Sequence, residues 1–328
     1  KIALAYHRAR GEGQRMRMVS RERAYHGVNI GGTSLSGLVK NREAFGVGMA
    51  GVAHMRHTWL AENRFSKGQP EHGAELSDDL ERIATMYGPD TVAAVFIEPI
   101  AGSTGTLVPP VGYLERVREI CDKYGILLIC DEVMAGLGRT GEWFAVDNWG
   151  VTPDIITMAK GLTSAYMPLG CVAMSDRIAD YFGKNVFYGG LTYNAHPMSL
   201  AAAVATLRVL ETDDLVGNSK RLGKVMAGLH QELKAKHPSV GDVRSIGLFG
   251  IIELVKNRET REPMAPFNGT SPEMTQFGAY LKEQGMATFI HWNNLFTNPP
   301  LCITEEQLKE SFAIIDRALD ITDKAVVG

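Results

Sequence analysis

The chain has 328 residues, of which 45% are hydrophobic and 22% are charged, and its formal net charge at pH 7 is −3. This is ordinary globular composition, and the length suggests roughly two domains. The small net charge gives no reason to expect nucleic acid as a partner, and no apolar run approaches the ~20 residues of a membrane-spanning helix.

The first part of the chain alternates between predicted helices and strands. The periodicity of the apolar residues predicts helices at 1–10 and 110–124, and buried strands at 92–99, 126–130, 154–159 and 169–174. Strands joined through helices by short connections indicate an α/β fold with parallel pairing and right-handed crossovers. A long alanine-rich helix at 195–210 is predicted to be buried.

The character of the sequence changes after residue 212. A glycine-punctuated strand at 247–255 is flanked by two charged helices, and amphipathic helices are predicted at 271–284 and 304–320. The last of these opens with Thr304-Glu-Glu-Gln, which is a capping-box pattern. We therefore predict a large domain at 1–212 and a smaller α+β domain at 213–328.

The cysteines give no disulfide pattern. Cys121, Cys130, Cys171 and Cys302 form no C-x-x-C pair, and we predict reduced, buried thiols in a cytoplasmic protein. Residues 1–10 alternate charged and apolar side chains, which is unlike a signal peptide. No cluster of histidine, cysteine and carboxylate has the spacing of a metal site, so no metal is predicted.

Asp131 and Lys160 each follow an apolar run that is typical of a buried parallel strand. Such strand ends face one crevice of an α/β sheet, where ligands bind. A lysine that holds an aldehyde as a Schiff base and an aspartate that keeps a pyridine nitrogen protonated are what pyridoxal 5′-phosphate (PLP) requires. Taken singly, Asp131 is equally well explained as a solvated turn residue. For Lys160 the alternative of a lysine that snorkels at a strand exit is open but less favoured.

Three glycine-containing segments accompany this pair. Tyr25-His26-Gly27 places an aromatic ring where it can lie over a cofactor ring. Thr192, between glycines 189–190 and the helix at 195–210, offers a hydroxyl to a phosphate. The segment 136–141 matches G-x-G-x-x-G, but it lacks the strand, helix and acidic residue that a dinucleotide site needs. The first two segments are also compatible with ordinary turns.

Together these segments resemble the class III, or ω-amino-acid, aminotransferases of PLP fold type I. The strongest run is Asp131-Glu-Val-Met-Ala-Gly-Leu-Gly-Arg-Thr-Gly-Glu-Trp-Phe, continued by Pro153-Asp-Ile-Ile-Thr-Met-Ala-Lys-Gly161. The resemblance covers essentially the whole chain. It implies a large domain with a mostly parallel central sheet and flanking helices, and a smaller α+β domain.

The resemblance also implies roles for individual residues. Lys160 would hold the cofactor aldehyde, Asp131 would bind the pyridine nitrogen, and Val133 would pack on the ring face opposite Tyr25, with His26 and Gly27 beside it. Glu98 would lie on the substrate side. Thr192 would bind the phosphate of a neighbouring subunit's cofactor, which implies a homodimer with shared active sites; a tetramer is left open.

The sequence departs from the family pattern in two places. The family's phosphate cup, a Ser-Gly-Ser/Thr-Glu-Ala type turn, should precede the helix at 1–10 and is not in the chain; we expect an N-terminal segment to be missing. Many relatives carry, near 286–300, an arginine that binds the substrate carboxylate. His291 and Trp292 occupy that stretch, so they are the candidate substrate residues, although His291 could equally be a packing residue.

The function that we predict is transfer of an amino group from an ω-amino acid or amine, such as β-alanine or taurine, to a small keto acid, with pyruvate as the expected acceptor. Two alternatives stay open: an aminomutase of the glutamate-1-semialdehyde type, and a non-catalytic relative that lacks the phosphate cup. The sequence does not identify the donor.

Overall fold

The structure is a computed structural model that describes residues 1–46, 48–63 and 69–327. Two β-sheets organise it, a six-stranded sheet in the first part of the chain and a four-stranded sheet in the last part. They lie on either side of the predicted boundary at residue 212, and the division into two domains stays a prediction. None of the helices described has the length and apolar character needed to cross a membrane.

The six-stranded sheet has the order β2-β1-β3-β4-β5-β6. Its strands are β1 (Arg17–Arg21), β2 (Val52–Met55), β3 (Val92–Ile97), β4 (Leu127–Asp131), β5 (Ile155–Met158) and β6 (Cys171–Met174). The pairs among β1 to β5 are parallel, which confirms the prediction for β3, β4 and β5; β1 and β2 were not predicted. β6 instead runs antiparallel to β5, because the connection between them contains only a short 3-10 turn and no crossover helix.

Helices cover this sheet and explain the apolar runs of its central strands. They are α1 (Ile2–Ala9), α2 (Ile30–Leu35), α3 (Val39–Phe45), α4 (Asp78–Tyr87), α5 (Tyr113–Tyr124), α6 (Asp176–Lys184) and α7 (Pro197–Thr212). The apolar stripe of α5, with Leu114, Val117 and Ile120, joins one core cluster with β3 and β4. Ala3 and Tyr6 of α1 lie in another cluster with residues of the same two strands, so these strands are buried between helices.

The four-stranded sheet is antiparallel and has the order β7-β8-β10-β9. Its strands are β7 (Val240–Ile246), β8 (Phe249–Leu254), β9 (Ile290–His291) and β10 (Asn294–Phe296), and its helices are α8 (Leu215–Lys236), α9 (Pro272–Glu283) and α10 (Glu305–Asp323). The capping box at Thr304 and Gln307 is confirmed. The strand predicted at 247–255 begins only at Phe249, because Gly247 (φ 55°) forms the hairpin turn.

Two sequence predictions about burial were wrong. The helix predicted to be buried, observed as α7, exposes an apolar face: Met198 is 62% exposed and Val204 48%. Its alanine-rich composition indicates an apolar environment but does not show whether this chain or another one covers the helix. Among the cysteines, all unpaired, Cys121 and Cys130 are buried, but Cys302 is exposed because it lies in a surface turn before α10.

Candidate active site

Parallel strands bring several polar segments to one cavity. Residues 25–27, Glu98 and Lys160 come after β1, β3 and β5, and Asp131 is the last residue of β4. All of these line a cavity of about 570 Å³. Val133 lines it too. A volume of this order is typical of a small-molecule site. The arrangement follows from the sheet, since parallel strands place their carboxyl ends at the same edge.

Asp131 is held in a fixed orientation. Its Oδ2 accepts a hydrogen bond from His26 Nδ1 at 2.8 Å, and its Oδ1 accepts one from the backbone N–H of Val133 at 3.1 Å. The side chain is only 13% exposed, so Asp131 is not a freely solvated turn residue. The other ring nitrogen of His26 is buried and has no hydrogen-bond partner within the described part of the chain.

Lys160 begins a 3-10 turn directly after β5 and adopts a left-handed backbone conformation, with φ at 46°. Such a conformation is costly for a residue other than glycine, and it occurs where the surrounding structure fixes it. Burial lowers the pKa of the amine, while the Asp131 and Glu98 carboxylates act in the opposite direction. A lysine with a lowered pKa is a better nucleophile and base at neutral pH.

Glu98 is buried at the end of β3. Its two oxygens accept hydrogen bonds from the backbone N–H groups of Tyr25 at 2.9 Å and Gly102 at 3.0 Å. Burial raises the pKa of this carboxyl, with His26 acting in the opposite direction and Asp131 in the same direction. Glu98 thus fixes the backbone on either side of the cavity, which positions the Tyr25 ring at its wall.

The remaining predicted site residues do not line this cavity. Thr192 is exposed, in a turn that precedes α7. His291 Nδ1 donates to the carbonyl of Ser103 at 2.9 Å, and its ring stacks on that of Trp292 with centroids 3.9 Å apart. His291 and Trp292 line a separate cavity of about 400 Å³. Roles in substrate binding for this pair, and in phosphate binding for Thr192, stay predictions.

The sequence analysis missed the part played by Glu132. Its buried side chain accepts hydrogen bonds from the backbone N–H groups of Ala145 and Val146, both at 3.0 Å, and burial raises its pKa to about 7. This carboxyl therefore connects the end of β4 at Asp131 to residues 145–146, which follow the glycine-containing segment 136–141. A signal was present, since Glu132 directly follows a buried strand. Phe96 and Thr157, which also line the cavity, gave none.

Comparison with known proteins assigns the chain to a family. The family model for class III aminotransferases matches residues 1–319. The chain belongs to the class III aminotransferases.

Named relatives of this class III aminotransferase cover most of its length. It is 46% identical over 330 aligned positions to the omega-aminotransferase of Caulobacter vibrioides, covering 98% of this chain and 73% of that protein. It is 43% identical to the omega-amino acid--pyruvate aminotransferase of Pseudomonas putida, over 77% of this chain and 58% of that protein. The beta-alanine--pyruvate aminotransferase of Pseudomonas aeruginosa is 38% identical, over 98% and 71%.

A solved structure agrees in fold. The taurine:2-oxoglutarate aminotransferase of Bifidobacterium kashiwanohense, in complex with PLP and glutamate, superposes with a TM-score of 0.90 at 39% identity, covering 99% of this chain and 72% of that one. This confirms the predicted α/β, PLP fold type I architecture. The class III aminotransferases use PLP, which is therefore the cofactor of this enzyme.

The residues of the cavity fit this cofactor. One cavity of suitable size is lined by Asp131, whose carboxylate is held at two points, by Lys160, whose amine has a lowered pKa, and by His26. The Nε2 atom of His26 is buried and has no partner among the described residues. Asp131 can accept a hydrogen bond from a protonated ring nitrogen, and Lys160 can reach an aldehyde in the same cavity. Together they can bind the two reactive ends of the ring.

Proposed function

We propose that this class III aminotransferase moves an amino group from an ω-amino acid or a simple amine to a small keto acid, with pyruvate as the acceptor. The observation that carries the proposal is the convergence of Lys160 and Asp131 on one cavity. The two Pseudomonas relatives support the choice of acceptor, because both are named for pyruvate. β-Alanine and taurine, named for relatives, are the first donors to test.

Each side chain of the cavity then has a role. PLP, once bound, supplies an electron sink for the carbon that bears the amine. The Asp131 carboxylate holds a proton on the ring nitrogen, and the His26 hydrogen bond keeps that carboxylate in place. Val133 and Tyr25 would hold the ring from its two faces. Lys160 Nζ would hold the aldehyde and, when free, would act as the general base that moves the substrate proton.

We also propose a homodimer. Residues 166–209 expose large apolar side chains: Tyr166 is 84% exposed, Tyr188 95% and Tyr193 82%. Like the apolar residues on the exposed face of α7, they are large apolar side chains in contact with solvent, which are typical of a protein–protein interface when they cluster. Thr192 lies within this segment, which supports its assignment to the neighbouring subunit's cofactor phosphate. A tetramer built from such dimers stays open.

A cytoplasmic location is part of the same proposal. All four cysteines are unpaired, and unpaired thiols are typical of a reducing compartment.

Replacing Lys160 by alanine tests the proposed function. We expect Lys160→Ala to lose the absorption of bound PLP at the edge of the visible range and to lose transamination by more than about 100-fold, because the amine is both nucleophile and base. Lys184→Ala, at an exposed position on α6, is the matched control. Unchanged turnover in Lys160→Ala would refute the assignment.

The need for an external acceptor separates the alternatives. An aminotransferase turns over only with a keto acid present, whereas an aminomutase of the glutamate-1-semialdehyde type needs none. The relatives described above are all named as aminotransferases, so neither the mutase nor a non-catalytic relative is favoured. Turnover of an amine donor that stops when pyruvate is withheld is the expected result.

A further inference from the structure

A second, smaller cavity lies where the two sheets meet. Its volume is about 160 Å³, and three arginines, Arg23, Arg244 and Arg261, line it together with a single carboxylate, Glu253. Arg244 and Glu253 come from β7 and β8, whereas Arg23 follows β1. Since a water molecule takes up about 30 Å³ of the liquid, the space suits a group of a few heavy atoms.

Two of these arginines are neutralised by carboxylates. Arg244 lies 2.7 Å from Glu253 and 3.4 Å from Asp242. Arg261 lies 3.5 Å from Glu253 and 3.6 Å from Asp242. Both carboxylates are therefore engaged by Arg244 and Arg261. Neither Asp242 nor Glu253 forms an ion pair with the third arginine, Arg23, within the described residues.

Within the described residues, Arg23 is the arginine of this cavity that forms no ion pair with a carboxylate. Its guanidinium makes no hydrogen bond in that part of the chain and lies over the rings of Trp59 and Phe267, at 5.2 and 5.0 Å from their centroids. Burial lowers its pKa, with Glu253 and Glu22 acting in the opposite direction. Aromatic rings do not use the N–H donors of a guanidinium, and these donors bind carboxylate-like groups through two parallel hydrogen bonds.

Two buried polar atoms at the same cavity are also without partners. Thr104 Oγ1 and Asn294 Oδ1 have no hydrogen-bond partner in the described part of the chain, although these residues are only 4% and 5% exposed. Both residues line the cavity with Arg23. Buried polar atoms are nearly always paired, so such atoms indicate a missing polar ligand. A threonine hydroxyl can donate to an anion, and an amide can turn either its NH₂ or its oxygen to a ligand.

The small cavity adjoins the cavity of Lys160. Arg23 is two residues before Tyr25, which is a distance of at most about 7 Å along the backbone. Thr104 follows the segment that Glu98 holds through the backbone N–H of Gly102. Tyr25 and Glu98 both line the Lys160 cavity. The same two backbone segments thus contribute to both cavities.

We propose that this cavity is an acid-binding subsite in which Arg23, assisted by Thr104 and Asn294, binds the carboxylate or sulfonate of the amino donor whose amine is at Lys160. The inference rests on the proposed function. It assigns the cationic part of the acid recognition to Arg23, because the 286–300 stretch carries no arginine and contributes Asn294 instead.

Equilibrium binding of unreactive acids tests the subsite directly. Trp59 and Trp292 line the cavity, so tryptophan fluorescence of the PLP-loaded enzyme can follow titrations with propanoate, ethanesulfonate and the uncharged propan-1-ol. We expect saturable binding of both anions and none of the alcohol. Arg23→Gln should weaken anion binding about 10- to 100-fold, as expected for loss of a hydrogen bond to a charged group. Arg221→Gln, on the exposed surface of α8, should not change it.

Thr104→Val is the second variant. It removes a hydroxyl that has no protein partner, so the fold should keep its thermal midpoint while anion binding weakens several-fold. Saturation by propan-1-ol, no saturable binding of the anions, or equal anion affinity in Arg23→Gln and the unaltered enzyme would overturn the proposal. So would Thr104→Val with unchanged anion affinity.

The reaction with the donor alone separates the sources of the anion. Without keto acid, β-alanine should change the absorption spectrum of the cofactor, and Arg23→Gln should need a higher β-alanine concentration than the unaltered enzyme for the same change. The change caused by propylamine should be the same in both proteins. Propanoate should compete with β-alanine. Anion binding without competition would mean a separate small anion and would refute the substrate assignment. If no amine changes the cofactor spectrum of the unaltered enzyme, the proposed function is wrong. The fluorescence titration still decides whether the cavity binds anions.

Discussion

The imidazole of His26 and the carboxylate of Asp131, 105 residues apart in the chain, are joined by a hydrogen bond of 2.8 Å between Nδ1 and Oδ2. The histidine follows β1 and the aspartate ends β4, with β3 lying between these strands in the sheet. Because Val133 donates to the other carboxylate oxygen, Asp131 has one orientation. We propose that this orientation serves the ring nitrogen of PLP.

His26→Leu should weaken PLP binding. It removes the donor to Asp131, and a hydrogen bond to a charged group is worth about 1.5–3 kcal/mol, so the dissociation constant should rise about 10-fold or more. His26→Asn is the matched control, since its amide nitrogen can replace Nδ1. Titration of the apo-protein with PLP, followed by absorbance, measures both variants. Equal affinities for His26→Leu and His26→Asn would contradict the role assigned to the hydrogen bond.

Glu132 should give stability a pH dependence. Its pKa is about 7 in the folded state, against an ordinary value of 4.5. Between these values the folded state holds a proton that the unfolded state has lost, so this contribution to the free energy of unfolding falls as the pH rises from 4.5 to 7. Over this pH interval the free energy of unfolding should fall by about 3 kcal/mol, because each unit of pKa difference corresponds to about 1.4 kcal/mol.

The Glu132→Gln variant removes this titration. Thermal midpoints of the unaltered protein and Glu132→Gln should diverge between pH 5 and pH 8, with the variant gaining relative to the unaltered protein as the pH rises. Glu119→Gln, at a side chain that is 67% exposed, should show no such trend. A difference that stays constant across this pH range would show that Glu132 is ionised throughout.

Two glycines of α8 should respond oppositely to substitution by alanine. A Cβ at Gly223 would lie 2.5 Å from the Cα of Gly247, in the turn between β7 and β8, whereas one at Gly228 would meet nothing within 4 Å. Gly223→Ala should therefore destabilise by about 1–3 kcal/mol through overpacking. Gly228→Ala should stabilise by about 0.5–1 kcal/mol because alanine favours the helix. Denaturant unfolding measures both; a stabilised Gly223→Ala would mean that the helix and turn are not in close contact.

The exposed face of α7 should be needed for assembly. Leu200→Asp places a charge at an apolar position that is 42% exposed in the monomer. If that position is buried between subunits, the unpaired charge should shift a dimer to monomers, as measured by sedimentation equilibrium. Met86→Asp, on α4 at 61% exposure, is the control. Dimers that persist in Leu200→Asp would place the interface elsewhere.

The sequence by itself indicated the parallel pairing of β3, β4 and β5, and with the family resemblance it indicated the cofactor and led us to propose Asp131 and Lys160 as the residues that bind it. These follow from local patterns: apolar runs of strand length, each ending in a polar residue, specify a strand and its carboxyl end together. The capping box of α10 is equally local. In each case the residues that decide the structure are neighbours in the chain, so no knowledge of distant contacts was needed.

Only the tertiary structure decided how distant residues meet. The pairing of His26 with Asp131, the hydrogen bonds from Ala145 and Val146 to Glu132, and the contact of Arg23 with two aromatic rings all depend on strand order and on how the two sheets meet. The exposure of α7 was also beyond the sequence, because an alanine-rich helix has the same composition whether its own chain or another covers it. Strand-end chemistry is encoded locally, whereas burial and the pairing of charges depend on which segments the fold brings together.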